Sequence, residues 1–250
     1  MSLARVQRIL GIVLAATTVV ATIWLAATGQ LILYIHPRYV VFTVVMAVIG
    51  LALIVASFVS RPAVDDEEPP RGRLSTTLAA TGIVATLVVA VAMVVVPPAT
   101  LTSATVSQRD INATSVGTGA KTLDSASTAS AGAFAKFSVL DWASLLRQTS
   151  DVGFYSGKPA DVVGFVTADP DDPQNVFYAS RFVITCCAVD AQPIGVPVYL
   201  QNWTSQYQLD DWVEVKGQFA ANPSRLSKLP IAIDPTTVTK VAQPSDPYIY

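Results

Sequence analysis

Reactive and charged side chains are scarce in this 250-residue chain. It has two cysteines, one histidine and 14% charged residues, and its formal net charge is −2. Two cysteines that are adjacent in the sequence do not make a disulfide framework, which needs several well-separated pairs. A nearly neutral chain without a block of Lys and Arg has no basic patch for nucleic acid. We therefore expect a local role for the cysteines and no nucleic-acid partner.

Recognisable catalytic motifs are also missing. The sequence contains no glycine-rich phosphate loop, no His-Glu-x-x-His and no Ser-x-x-Lys. Nucleophilic catalysis by cysteine usually needs a neighbouring histidine. The one histidine, His36, lies far upstream between two apolar runs, where a residue facing lipid headgroups is expected. The sequence therefore predicts that the protein is not an enzyme.

Apolar sequence, by contrast, is abundant and makes up 52% of the chain. Three long runs without a charged residue cover about residues 9–28, 39–59 and 74–96. A helix of roughly 20 residues crosses a bilayer. The first run is longer than the apolar part of a signal peptide, and a second run follows it closely. The runs predict a membrane domain over residues 1–98 with three transmembrane helices.

The distribution of arginine predicts the orientation of these helices. Arg5 and Arg8 precede the first run, the connection to the second run has only Arg38, and the connection to the third has three arginines: Arg61, Arg71 and Arg73. Positive residues stay on the cytoplasmic side. We therefore expect a multi-pass plasma-membrane protein with a cytoplasmic N-terminus and an extracytoplasmic C-terminal domain. The runs contain no ionisable residue that would mark a transport path. This favours a role for the helices as an anchor or as a contact face for another membrane protein.

The second half of the chain has a different pattern. Residues 99–136 are rich in Ser, Thr and Ala and predict a flexible tether. Ser138 is a candidate cap for a short helix over residues 139–148. Short apolar stretches between turn residues then predict strands at 161–167, 176–184, 194–200, 212–220, 231–233 and 238–241.

The predicted fold class is thus transmembrane α-helices followed by a small all-β domain over residues 137–250. An oligonucleotide/oligosaccharide-binding (OB)-like β-barrel is the first choice, because closure removes exposed sheet edges, and a β-sandwich is the second.

The candidate site is the pair Cys186 and Cys187, with Asp190 close behind. Neighbouring side chains on a regular strand point to opposite faces, so the pair can share one ion only where the backbone turns. Two thiolates and a carboxylate would then suit zinc or copper. A strained vicinal disulfide and a purely structural burial of the thiols are the alternatives. None of the three interpretations implies catalytic turnover.

Several segments resemble a bacterial family of permease subunits, whose members have N-terminal membrane helices and an outer β-domain. The most specific is residues 181–191, which contain Cys-Cys-x-x-Asp-Ala; the others are residues 34–38, 97–101, 212–217 and 247–250. The resemblance implies an accessory subunit of a two-component permease, whose partner is a polytopic permease in the lipid bilayer. The alternative is an independent cell-surface protein that binds ligands or handles metal through Cys186 and Cys187.

Overall fold

The structure, a computed structural model, describes residues 3–59, 81–82, 84–86, 88–89, 91–92, 96, 99–113 and 120–250. The chain divides into two compact units, Met1–Ala99 and Thr100–Tyr250. The boundary falls directly after the last of the apolar runs.

Unit 1 contains two long apolar helices, α1 (Leu3–Ala27) and α2 (Val40–Val59). They pack closely, since a β-carbon on Gly50 would lie 3.6 Å from the Val19 side chain. The segments Leu10–Ala27 and Pro37–Ala56 are long and apolar enough to cross a membrane. These two helices support membrane association.

The third expected span, residues 74–96, lies largely outside the described residues. Residues 81–82, 84–86, 88–89 and 91–92 are helical. A β-carbon on Gly82 would lie 3.7 Å from Leu10 of α1, so this stretch packs within unit 1. The number of membrane crossings and their orientation stay predictions.

Unit 2 is built on one mixed sheet of six strands, which follows the apolar helices as the sequence predicts. The strands are β1 (Pro159–Ala168), β2 (Val176–Val183), β3 (Gln192–Tyr199), β4 (Trp212–Ala221), β5 (Ile231–Lys240) and β6 (Tyr248–Ile249). β1 pairs with both β2 and β4, β2 with β3, and β4 with β5, all antiparallel. β3 pairs with β5 in parallel, so the pairings of the first five strands form a cycle. β6 adds to β2 in parallel.

The boundaries of β1 to β4 follow the sequence patterns closely, whereas β5 differs and β6 is not among the predicted strands. The sequence pattern breaks at Asp234-Pro235 and predicts two short strands, but β5 runs through both residues. The register shifts between Lys216 and Gly217 of β4, opposite this point. The bulge accommodates Pro235, which has no N–H to donate to the ladder.

A helix covers the core of unit 2. The predicted helix over residues 139–148 is confirmed as α6 (Val139–Gln148), with Ser138 as its cap. Its apolar face is buried, and the fully buried Trp142 packs 4.5 Å, centroid to centroid, from Phe219 of β4. Burial of the Trp142 and Phe219 rings favours packing of the helix against the sheet.

Residues 99–136 differ from the flexible tether that their composition predicts. Their described part forms three short helices, α3 (Ser103–Val106), α4 (Leu123–Ser127) and α5 (Ala131–Phe134). Each helix buries one apolar side chain, respectively Val106, Ala126 and Phe134. Composition alone misses this, because a few well-placed apolar residues are enough to fix a polar segment on a preformed core. A further short helix, α7 (Val152–Tyr155), leads into β1.

Candidate metal centre

Both cysteines lie in the connection between β2 and β3. We call residues 184–191 the cysteine loop. It begins where the Ile184 N–H donates to the Ile249 carbonyl, and it contains a 3₁₀ turn, Ala188–Asp190. Cys186 is exposed and Cys187 is half-buried. The backbone thus turns at the pair, as the ion-sharing hypothesis requires.

Asp190 organises this turn through its carboxylate. Its Oδ1 accepts a hydrogen bond from the Thr185 N–H at 3.1 Å, and its Oδ2 accepts from the N–H groups of Cys186 at 2.7 Å and Cys187 at 3.4 Å. In return, the Cys187 side chain accepts from the Asp190 N–H. Partial burial raises the pKa of Asp190, but the Cys186 thiol and the three N–H donors outweigh it and hold the pKa below its usual value. The carboxylate is therefore charged at neutral pH and fixed in position.

The two sulfur atoms face each other across the turn. Their Sγ–Sγ distance is 3.6 Å, and both cysteines are free thiols. Each of Cys186, Cys187 and Asp190 offers a ligand atom within 4.8 Å of the others. The hydrogen bond to Asp190 and the contact with Cys187 raise the pKa of Cys186 to about 12. A cation that binds the sulfur of Cys186 would displace this proton into the solvent.

Two family models match the chain. The DUF1980 N-terminal domain covers residues 9–112, and the DUF1980 C-terminal domain covers residues 136–250. The chain therefore carries both DUF1980 domains. No curated protein and no solved structure matches the chain.

The cysteine loop lies within the DUF1980 C-terminal domain, but residues of the DUF1980 N-terminal match contact it. The guanidinium of Arg109 donates through Nη1 to the Ala191 carbonyl and through Nη2 to the Val189 carbonyl at 2.8 Å. Asn112 exchanges two hydrogen bonds with the backbone of Gly195 in β3, at 2.8 and 3.0 Å. Sequence reasoning missed both residues, although Arg109 is the only basic residue among residues 99–112.

His36, the one histidine of the sequence, belongs to unit 1. Its Nδ1 accepts a hydrogen bond from the Arg38 N–H at 3.1 Å, and it caps the 3₁₀ turn Pro37–Tyr39. The Arg38 guanidinium stacks over the Tyr39 ring at 4.9 Å. These contacts agree with a structural role for His36 in the turn between α1 and α2.

Proposed function

We propose that this DUF1980 protein is a membrane-anchored metal-handling subunit, in which the cysteine loop binds a soft or borderline cation such as zinc. The observation that carries the proposal is the convergence of two thiols and a charged carboxylate within 4.8 Å on an exposed turn. Thiolates prefer zinc, copper and similar ions over the hard cations that oxygen ligands select.

The sulfur separation favours one coordination geometry. With Zn–S bonds of about 2.3 Å, a sulfur pair 3.6 Å apart subtends an angle of about 103° at the ion. This is close to the tetrahedral value. A linear ion with the same bond length would need sulfurs about 4.6 Å apart. The loop thus supports zinc over linear two-coordinate copper.

The acceptor capacity of Asp190 supports a third ligand. A carboxylate has about four lone-pair positions. Three N–H groups and the Cys186 thiol use them in the structure. When the ion replaces the thiol protons, the position that held the Cys186 S–H becomes free for the metal, and two protons leave for each divalent ion bound.

Only three such ligands converge here among the described residues, so a tetrahedral ion would keep one open position. Structural zinc sites are closed by four protein ligands, whereas open sites accept a further molecule. Cys186 is also exposed. A site of this kind is suited to receiving an ion and passing it on.

The binding test compares the full-length protein in detergent with the double variant Cys186→Ser/Cys187→Ser. We expect the wild type to bind one zinc ion, and cobalt in its place to give thiolate-to-metal charge-transfer absorption that the variant lacks. Asp190→Asn, which keeps one acceptor oxygen, should weaken binding without abolishing it. Absence of metal from both proteins would reject the proposal. A wild type two hydrogens lighter would then indicate the vicinal disulfide, and a lower melting temperature of the double variant would indicate structural thiols.

The anchoring part of the proposal is that three helices span the membrane, with the N-terminus cytoplasmic and unit 2 extracytoplasmic. It is supported by the two described helices and by the arginines that flank the apolar runs. Because the chain has only two cysteines and Cys186 is exposed, a membrane-impermeant maleimide reports on its location. We expect labelling in intact cells, with the double serine variant as the control. Labelling only after permeabilisation would reverse the orientation.

We also propose that unit 2 is an OB-like barrel. The support is the cyclic pairing β1–β2–β3–β5–β4–β1, with β3 and β5 parallel and the other pairs antiparallel. A sandwich would instead divide the strands between two facing sheets. β1 closes the cycle, because it pairs with β4 up to Phe165 and with β2 from Phe165 onward. An experimental structure with two separate sheets would reject the barrel.

A second proposed role is that of an accessory subunit to a multi-span permease. α2 has no ionisable residue and exposes large apolar side chains, among them Val41, Phe42 and Leu53. Such a helix offers no polar path of its own, but it can face lipid or another membrane protein. Mild cross-linking and purification from the native host should recover a larger multi-span protein. Recovery of the chain alone would favour an independent metal-handling protein.

A further inference from the structure

The segment that follows unit 1 is attached to the cysteine loop and to the strand after it. We call residues 101–112 the strap. Beyond the Arg109 contacts, the Asn112 N–H donates to the Pro193 carbonyl at 3.1 Å, next to the paired hydrogen bonds with Gly195. The other end of the strap is held by the Tyr248 hydroxyl, which accepts from the Leu101 N–H at 2.9 Å, and by Asp210, which accepts from Ser103. The strap is therefore fixed at both ends within unit 2.

Arg109 contacts the loop at the residues that orient Asp190. The two carbonyls that it binds belong to Val189 and Ala191, on either side of the aspartate. The carbonyl of Asp190 itself accepts from the Gln192 side chain at 3.3 Å. Three successive carbonyls are thus held, which restricts rotation of the backbone around Asp190. The carboxylate is thereby kept directed at the N–H groups of Thr185, Cys186 and Cys187.

We propose that Arg109 is the positioning residue that sets the spacing of the two thiols and so selects the metal ion. This inference rests on the metal-binding function proposed above. Fixing Asp190 fixes the turn, and the turn holds the sulfurs 3.6 Å apart, a bite that suits a tetrahedral ion. If the turn relaxes, the sulfurs can separate towards the spacing of a linear ion, and the preference for zinc is lost.

The planar fork of arginine suits this role. It can donate to two carbonyls at once in a fixed geometry, whereas the lysine ammonium is a single charge on a flexible stem. Outer groups that orient metal ligands typically change metal affinity by 10- to 100-fold when they are removed. Arg109 reaches the site from about 80 residues upstream, so the strap joins the metal loop to the part of the chain that leads from unit 1.

The test uses full-length protein in detergent and the variants Arg109→Ala and Arg109→Lys, with Arg225→Ala as the matched control at an exposed position. Zinc and Cu(I) affinities are measured by competition with chromophoric chelators. For Arg109→Ala we expect zinc affinity to fall by about 10- to 100-fold, with Cu(I) affinity changed much less. Arg109→Lys should recover part of the zinc affinity, and Arg225→Ala should match the wild type. Equal losses for both ions, or no loss of zinc affinity, would overturn the inference.

Hydrogen exchange separates failure of this inference from failure of the proposed function. If the wild type binds neither ion, the metal-binding function and the selectivity built on it are both rejected. The amides of residues 185–191 still report on positioning, and they should exchange faster in Arg109→Ala than in Arg225→Ala. Unchanged exchange would reject the positioning role itself. Should Arg109→Ala fail to fold, Arg109→Lys gives the same comparison, because it keeps the charge and loses the fork.

Discussion

Phe134→Ala tests whether the connector over residues 120–136 is part of the folded β-domain. Phe134 is the last residue of α5 and is 6% exposed. Its ring stacks on Trp142 with ring centroids 5.8 Å apart. Its ring also contacts Phe137 at 5.1 Å and lies 5.0 Å from the Lys158 Nζ. A tether would have none of these contacts.

The size of the effect follows from this burial. Truncation of a buried phenylalanine to alanine costs about 3–5 kcal/mol. Because α5 is a single turn and can relax into the space left behind, we expect a value near the lower end, about 3 kcal/mol. For a unit of about 150 residues this corresponds to a fall in Tm of roughly 6–12 °C.

The measurement is thermal or urea unfolding of the detergent-solubilised protein, followed by tryptophan fluorescence, since Trp142 lies beside the substitution. The control is Leu226→Ala, at a side chain that is 69% exposed. This control should stay within about 0.5 kcal/mol of the wild type. If Phe134→Ala also stays within that range, the connector is a tether and the packing argument fails.

Two further predictions concern the sheet. Gly164→Ala should destabilise unit 2 by about 1–3 kcal/mol, because a β-carbon there would lie 2.7 Å from the backbone of Ser180. The control Gly132→Ala should not lower the melting temperature in the same assay, because a β-carbon there meets nothing within 4 Å and the residue lies within α5. The ion pair of Asp211 with Lys240, at 2.6 Å, holds the pKa of Asp211 below its usual value. Its contribution, less than about 1 kcal/mol for so exposed a pair, is present above the unfolded pKa and is lost as pH falls through the lowered folded value. Asp211→Asn should therefore flatten the acid end of the Tm–pH profile, and a profile identical to the wild type would count against the ion pair.

Most strands of the sheet could be predicted from the sequence, because the residue patterns that define a strand lie within the strand and its flanking turns. Alternating apolar residues and turn clusters such as Asp169-Pro170 place β1 to β4 within one or two residues. The continuity of β5 through Pro235 could not be predicted, since it depends on a bulge at Thr236 that is set by the pairing of β5 with β4. The cyclic order of the strands also depends on contacts between distant residues, among them the pair Val198 and Ile233 that joins β3 to β5.

The residues around the candidate site also differ in whether the sequence indicates them. Cys186, Cys187 and Asp190 could be found from residue type and spacing, because all three lie within one turn. Arg109 could not, because it acts through the carbonyls of Val189 and Ala191, which every residue type possesses. When a side chain binds backbone carbonyls, the sequence contains no complementary side chain that would indicate the contact.

The proposed metal site offers only three ligands among the described residues, and this bears on its use. A structural ion must be held by enough protein ligands to stay bound while the chain folds around it, and four is the usual number for zinc. Protein groups hold the turn of the cysteine loop, because the Asp190 carboxylate accepts three N–H groups and Arg109 donates to the carbonyls on either side of it. An ion bound there would add little to the stability of the fold and could leave without unfolding it. A preformed, exposed loop with an open coordination position is therefore better suited to exchanging an ion with a partner than to retaining one.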